Sequence, residues 1–229
     1  MKITVTGSTA PAVSHGMRQL GNPAIALDPS REAVDLIEVM EQHGPFALAH
    51  IGPDVPKVML SYAEQCRDLG LDFSADPGTL EGADAAEFIE GAKFLVTSQD
   101  RYQFLQGAVG LDDDEILERV RVRVTTVDGE GVEIVGHDMD RVRVPVARAR
   151  QLIDPAGAAD AFTAGLLTAL GWGMPLRRAA ELGSQLSAVV LESVGTHGYA
   201  VNYAEFVRLL EESYGAACAA EASAYLLPE

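Results

Sequence analysis

Short apolar runs that read as strands alternate along this chain with longer segments carrying apolar residues at helical spacing, and no other feature restricts the fold as much. A strand, a crossing helix and a further strand join most readily in the parallel sense. The pattern therefore predicts a three-layer α/β domain, a mainly parallel sheet covered by helices on both faces. Strands are expected at Ile3–Val5, Ala24–Leu27, Ala47–Ile51, Leu71–Ala75, Phe94–Thr97, Val120–Thr126 and Val132–Val135. A helix is expected from Ser30 to His43, with Ser30 as its N-cap and Ala33, Leu36, Ile37 and Met40 on one face. Others are expected at Lys57–Leu69, stopped by Gly70, and at Asp112–Arg119, Ala161–Leu170, Leu176–Glu192 and Tyr203–Leu226. No repeat, low-complexity tract or linker interrupts this succession, so residues 1–229 read as a single domain.

The content of that domain is constrained from several sides. At 229 residues with 48% hydrophobic content the chain can bury a sizeable core. A net charge of -17 excludes nucleic acid and anionic membranes as natural partners. Met1-Lys2-Ile3-Thr4-Val5 leads into Gly7-Ser8 rather than a leader's apolar stretch, and no run reaches the roughly 18 apolar residues of a membrane span. A cytoplasmic location is the expectation. Cys66 and Cys218 stand far apart without paired Cys or His spacing, which points to free structural thiols and no zinc site.

Chemistry concentrates in Asp154-Pro155-Ala156-Gly157-Ala158-Ala159-Asp160-Ala161-Phe162-Thr163-Ala164-Gly165, a small-residue turn opening into a helix. Backbone N–H groups at a helix start converge on an anion, and small side chains let a phosphate approach them. Asp160 is then out of place unless it has a task. A carboxylate repels phosphate, so it makes sense here as the base that takes a proton from whatever attacks that phosphate.

This segment resembles the second signature of the ribokinase-type (PfkB) sugar and nucleoside kinases, Asp-Thr-x-Gly-Ala-Gly-Asp-x-Phe. Asp154, Gly157, Ala158, Asp160 and Phe162 agree with it, whereas Pro155 and Ala159 replace a threonine and a glycine. Similarity to the bacterial adenosine kinases of that family extends through Tyr62–Leu71, Ala75-Asp76-Pro77, Arg123-Val124-Thr125-Thr126 and Leu191–Thr196. Ile3–Ser8 and the region from Phe46 onward can be laid on the family. The resemblance implies a ribokinase-like fold, an anion hole at Gly157, Ala158 and Ala159, and Asp160 as general base.

Departures from the family pattern are as informative. Between Ser8 and Gly21-Asn22 the family has an aspartate that grips sugar hydroxyls and strands of a lid, whereas this chain has only Thr9–Gly16. A second lid portion is missing before Ala47–Ile51, so a ribokinase-like fold without lid strands is expected. Ser8 and His15 fall where the acceptor is held; for His15 a helix start is the plainer reading. Arg101 stands where the family has a glutamate that organises magnesium. A guanidinium cannot serve a metal but can pair with a phosphate, unless it is simply a surface arginine at a helix start. Asp100 is the neighbouring acid that could substitute.

Where the family's nucleotide loop runs Thr-x-Gly-x-x-Gly, this chain has Thr126-Val127-Asp128-Gly129-Glu130-Gly131. Thr126 and Gly131 are candidate nucleotide contacts, yet Asp128-Gly129 is also a favoured hairpin turn. His197 and Asn202 lie in the stretch that the resemblance places beside the purine. The resemblance implies ATP and Mg2+, while Arg101, Asp128 and Glu130 count against both.

Three functions follow. One is phosphoryl transfer to a nucleoside or related sugar-containing molecule. The second is hydrolysis of a nucleoside monophosphate, with Asp160 activating water. The third is a non-catalytic binding or assembly role that retains the fold. A homodimer is expected, because a lidless sheet edge and an open cleft invite a second copy. Its contact is sought around Tyr214, Ala217, Ala220 and Tyr225.

Overall fold

The computed structural model describes residues 1–27 and 32–227. Its strands are β1 (Ile3–Thr6), β2 (Ile25–Ala26), β3 (Leu48–Ile51), β4 (Asp72–Ala75), β5 (Phe94–Ser98), β6 (Val122–Val127), β7 (Gly131–Gly136) and β8 (Met139–Val144). They form one sheet in the order β2-β1-β3-β4-β5-β6-β7-β8. Pairing is parallel from β2 through β6 and antiparallel from β6 through β8.

Strand periodicity distributes side chains to two cores. Phe94 and Val96 enter one, Leu95 the other, because successive side chains on a strand point to opposite faces. The first core is closed by α1 (Ala10–Gln19), α7 (Ala158–Gly171), α8 (Leu176–Leu191), α9 (Tyr203–Tyr214) and α10 (Ala216–Leu226). The second is closed by α2 (Leu36–His43), α3 (Pro56–Asp68), α4 (Gly82–Ile89), α5 (Gln99–Val109) and α6 (Asp113–Arg119). This is the three-layer α/β/α arrangement expected. Every described strand belongs to this sheet, and none forms a separate lid.

Some boundaries differ from expectation for local reasons. The expected cap Ser30 lies outside the described residues; α2 begins instead at Leu36, where Asp35 accepts a 2.7 Å hydrogen bond from the Ile37 amide. Val120 ends α6 rather than starting β6. The long C-terminal helix is broken at Gly215, whose φ of 87° belongs to no helix. His15 sits inside α1, not at its start. β8 escaped notice because Asp140, Arg141 and Arg143 interrupt its apolar alternation.

Those same charges blunt that edge of the sheet, and β2 at the other edge is 2 residues long. Tyr214 and Tyr225 donate hydrogen bonds to Pro145 and Trp172 carbonyls of their own chain, and Tyr225 stacks on Trp172. Of the two reasons for a second copy, only the open cleft remains. Among the described residues no helix is long and apolar enough to cross a membrane, and Cys66 and Cys218 are free and buried.

Candidate active site

Arg101, Thr126, Gly131, Ala158 and Ala159 line one cleft at the carboxyl ends of the parallel strands, where open α/β sheets hold their ligands, whereas Ser8, His15, Gly157, Asp160, His197 and Asn202 are not on its lining. The turns after β1 and β3 also meet closely. A Cβ on Gly7, whose φ is +99°, would lie 2.6 Å from the Gly52 carbonyl carbon, so only glycine lets these turns meet. Ser8 follows, with both its amide and its hydroxyl donating to the Pro53 carbonyl at 2.7 Å. Its donors are thus committed to the scaffold.

The turn before α7 adopts the shape its small residues permit. Gly157 caps the helix at φ 80°, and a Cβ there would come within 3.0 Å of the Thr196 Cα. The side chain of Asp154 ties this turn to the loop after α8, accepting from the Ala156 amide at 2.9 Å and the Gly195 amide at 2.9 Å. Those bonds hold its carboxyl below the usual carboxylate range. The Ala158 amide, expected in the anion hole, donates instead to the Pro155 carbonyl at 3.2 Å, whereas the Ala159 and Asp160 amides in the first turn of α7 have no acceptor among the described residues. They are available to an anion.

Asp160 itself is half-buried. Burial raises its carboxyl above the usual range, and the nearby His197 works in the opposite direction. The loop that Asp154 anchors also brings His197 within 4.9 Å of His15 between ring centroids, while Tyr199 stands at 5.0 Å from His15 on another side. Two residues noted separately in the sequence thus become neighbours in space.

A cleft runs from this turn across the ends of β5 and β6 in two continuous halves, of about 310 Å3 and about 350 Å3. Ser98, Thr126, Ala159 and Phe162 line both. Asp76, Gly78 and Arg101 border the first half; Asp128, Gly129, Gly131 and Leu191 border the second. Each half is at the small end of small-molecule sites, and together they suit an elongated ligand.

The expected roles sort out accordingly. Arg101 lies at the start of α5, where Ser98 caps the helix, and is exposed toward the cleft beside Asp76. Asp128-Gly129 does form the β6–β7 turn, and Gly131 is demanded by packing as well, since a Cβ there would meet the Val144 carbonyl oxygen at 2.0 Å. Asn202 caps α9 by accepting from the Glu205 amide and borders neither half of the cleft.

Asp76 and Tyr199 were missed as site residues. Asp76 accepts from the Gly78 amide at 3.0 Å and is pushed up to about 6, chiefly by burial and further by the charge of Asp160. A carboxylate directly after the buried end of β4 was the available signal. Tyr199 had none.

A nucleotide fits the second half: glycines on the β6–β7 side leave bare backbone, and the free amides of α7 lie at its end. A side-chain metal site does not fit. Among the described residues no group of three or more His, Cys, Asp or Glu could hold an ion.

Comparison with known proteins agrees with this architecture. The model of the pfkB family carbohydrate kinases matches residues 28–200. A nucleoside kinase of Methanocaldococcus jannaschii is 27% identical over 169 residues, which cover 72% of this chain and 55% of that protein. The chain thus spans about half the length of that curated relative. Among solved structures, Burkholderia thailandensis nucleoside kinase in complex with inosine superposes with a TM-score of 0.82 at 20% identity, covering 94% of this chain and 99% of that one. The same enzyme is known in complex with ADP-inosine. An adenosine kinase of Sinorhizobium meliloti superposes with a TM-score of 0.64 at 16% identity over 88% of this chain and 82% of its own. A match through three quarters of the sequence, on a sheet and helix order of the same kind, means that this chain belongs to the pfkB family of carbohydrate kinases.

Proposed function

We propose that the chain is a phosphotransferase acting on a nucleoside or related sugar-containing small molecule, with Asp160 as general base. The observation that carries this reading is the pairing of a half-buried carboxylate with unpaired amides in the same helical turn, at the edge of a two-part cleft. The nucleoside kinase relatives support the acceptor class. A bound nucleoside triphosphate would supply the phosphoryl group. Asp160 takes the proton of the acceptor hydroxyl as that oxygen bonds the phosphorus. The bond to the diphosphate oxygen breaks, and the electron pair stays with the diphosphate, whose charge faces the Ala159 and Asp160 amides. Arg101 offers a guanidinium to the same charge from the other wall.

Removing the base tests this. Asp160→Asn is expected to lower turnover by about 10²–10⁴ while ligand binding, read by calorimetry, stays within a few-fold. Parent-like turnover in the variant would sink the assignment.

Arg101 favours a second reading, hydrolysis of a nucleoside monophosphate with Asp160 activating water, because a guanidinium can neutralise phosphate without a metal. Titration with adenosine, AMP, ADP and ATP, each with and without magnesium, separates the two. Tight ATP binding belongs to the kinase. AMP binding without ATP binding belongs to the hydrolase.

A further inference from the structure

Beside Asp160 the charge differs from what the family pattern leads one to expect, and the structure gathers the difference into one cluster next to the cleft rather than on its lining. His15 from α1 and His197 from the loop after α8 meet edge to face at 4.9 Å. Tyr199 closes on His15 from the same loop at 5.0 Å, also edge to face. Arg18, one turn along α1, adds positive charge near His15, with its guanidinium 3.5 Å from the Ser14 hydroxyl. The charged groups acting on His15 are therefore His197 and Arg18, both basic. Asp160 of α7 is the acid that reaches this cluster, through His197 and Tyr199.

One atom of the cluster has no task. The Nε2 of His15 is buried and has no hydrogen-bond partner. Burying a polar nitrogen unpaired is unfavourable, so a partner from outside the chain is the natural remedy. His197 beside this ring is exposed and contacts the Thr196 hydroxyl at 2.8 Å. Two adjacent imidazoles oppose each other's protonation, and an anion between them removes that opposition. Arg101, which lines the neighbouring cleft, stands where a family glutamate is expected. Both departures change the cleft in the same direction, toward negative ligands.

Resting on the reading of this cleft as an acceptor site, we propose that its preferred acceptor is an anionic nucleoside derivative whose phosphomonoester sits between His15 and His197, rather than a neutral nucleoside. The imidazoles donate to the phosphate oxygens, His15 through Nε2 once that nitrogen is protonated, and binding draws protons onto the pair. Tyr199 stays neutral throughout, because burial and the charge of Asp160 push its hydroxyl up to about 12. Burial and the neighbouring His197 lower His15 in the free protein, against a hydrogen bond with the Tyr199 backbone, so an anion beside it favours its charged form.

Calorimetry on the full chain without nucleoside triphosphate tests the proposal, using adenosine, AMP, ribose 5-phosphate and inorganic phosphate between pH 6 and pH 8. AMP is expected to bind at least about tenfold more tightly than adenosine at pH 6.5, the scale of one charge-assisted hydrogen bond. The gap should narrow toward pH 8. Titrations in buffers of different ionisation enthalpy should show net proton uptake with AMP and none with adenosine. In His197→Gln, a change at an exposed position, and separately in His15→Gln, the AMP-to-adenosine ratio should fall to within about threefold. Retained thermal unfolding shows that each variant folds.

AMP and ribose 5-phosphate both favoured over adenosine identify a sugar phosphomonoester; inorganic phosphate alone binding assigns the cluster to a free ion and overturns the proposal. Equal affinities for AMP and adenosine, a gap unchanged in both variants, or no binding of any of these compounds would also overturn it. The base assignment is read separately, from turnover of Asp160→Asn. Tight, histidine-dependent AMP binding with unchanged Asp160→Asn turnover sinks only the function reading.

Discussion

Asp76 shows how one residue registers its surroundings. Its carboxyl is pushed up to about 6, whereas an aspartate in an unfolded chain titrates near about 3.9. Between those values the folded state holds more protons than the unfolded one, so stability falls as pH rises through that window. Asp76→Asn keeps an oxygen for the Gly78 amide and removes the ionisation. The variant is expected to exceed the parent by about 1–2 kcal/mol at pH 8, discounted for the residue's partial exposure, and to match it below about pH 4. Urea unfolding at both pH values measures this. A gap of equal size at the two would show that the charge is not the cause.

Elements meet at the Asp154 clamp. The turn before α7 and the loop after α8 are both irregular, and it is the far part of that loop, at Tyr199 and Val201, that packs into the core. What registers one against the other is a carboxylate accepting from the Ala156 and Gly195 amides, with Gly157 lying against Thr196. Two helices bring the ends together: Gly165 of α7 and Gly183 of α8 let the backbones approach so closely that a Cβ on Gly165 would lie 2.7 Å from the Gly183 Cα. Asp154→Ala should therefore misplace His197 and the anion-binding amides while the helix crossing survives. Turnover is expected to fall about tenfold to a hundredfold, the scale of small misplacements of catalytic groups, with little change in the thermal midpoint. A loss of turnover that merely follows a loss of folded protein would assign the clamp to stability instead.

At the scale of the whole molecule, charge is the dominant property. Thirty-four acidic side chains face 17 basic ones, and self-repulsion at a net -17 works against the compact state. Exposed ion pairs such as Arg119–Glu90 and Arg141–Glu133 contribute only about 0–1 kcal/mol each and lose it in salt. Relief of the global repulsion should win. The thermal midpoint is expected to rise by about 2–4 °C between about 50 mM and 500 mM sodium chloride, corresponding to ~1 kcal/mol. A midpoint that falls would show that the local pairs matter more.

The parallel sheet, its two helical layers and the turn at Gly157–Asp160 were legible in the sequence. Each depends on local pattern: two-residue and 3.6-residue periodicity, and small residues before an acid. The first five parallel strands were each placed within one or two residues of their observed ends. β8 was not, because a charged edge strand gains its pairing from β7 rather than from its own composition. Tertiary structure alone decided which distant residues share a site. It set His15 against His197 and Tyr199, and Asp76 within reach of Asp160, by bringing together segments far apart in the sequence. Local pattern records the conformation of each segment, but contact between segments depends on how the sheet twists and the helices pack, which no single segment encodes.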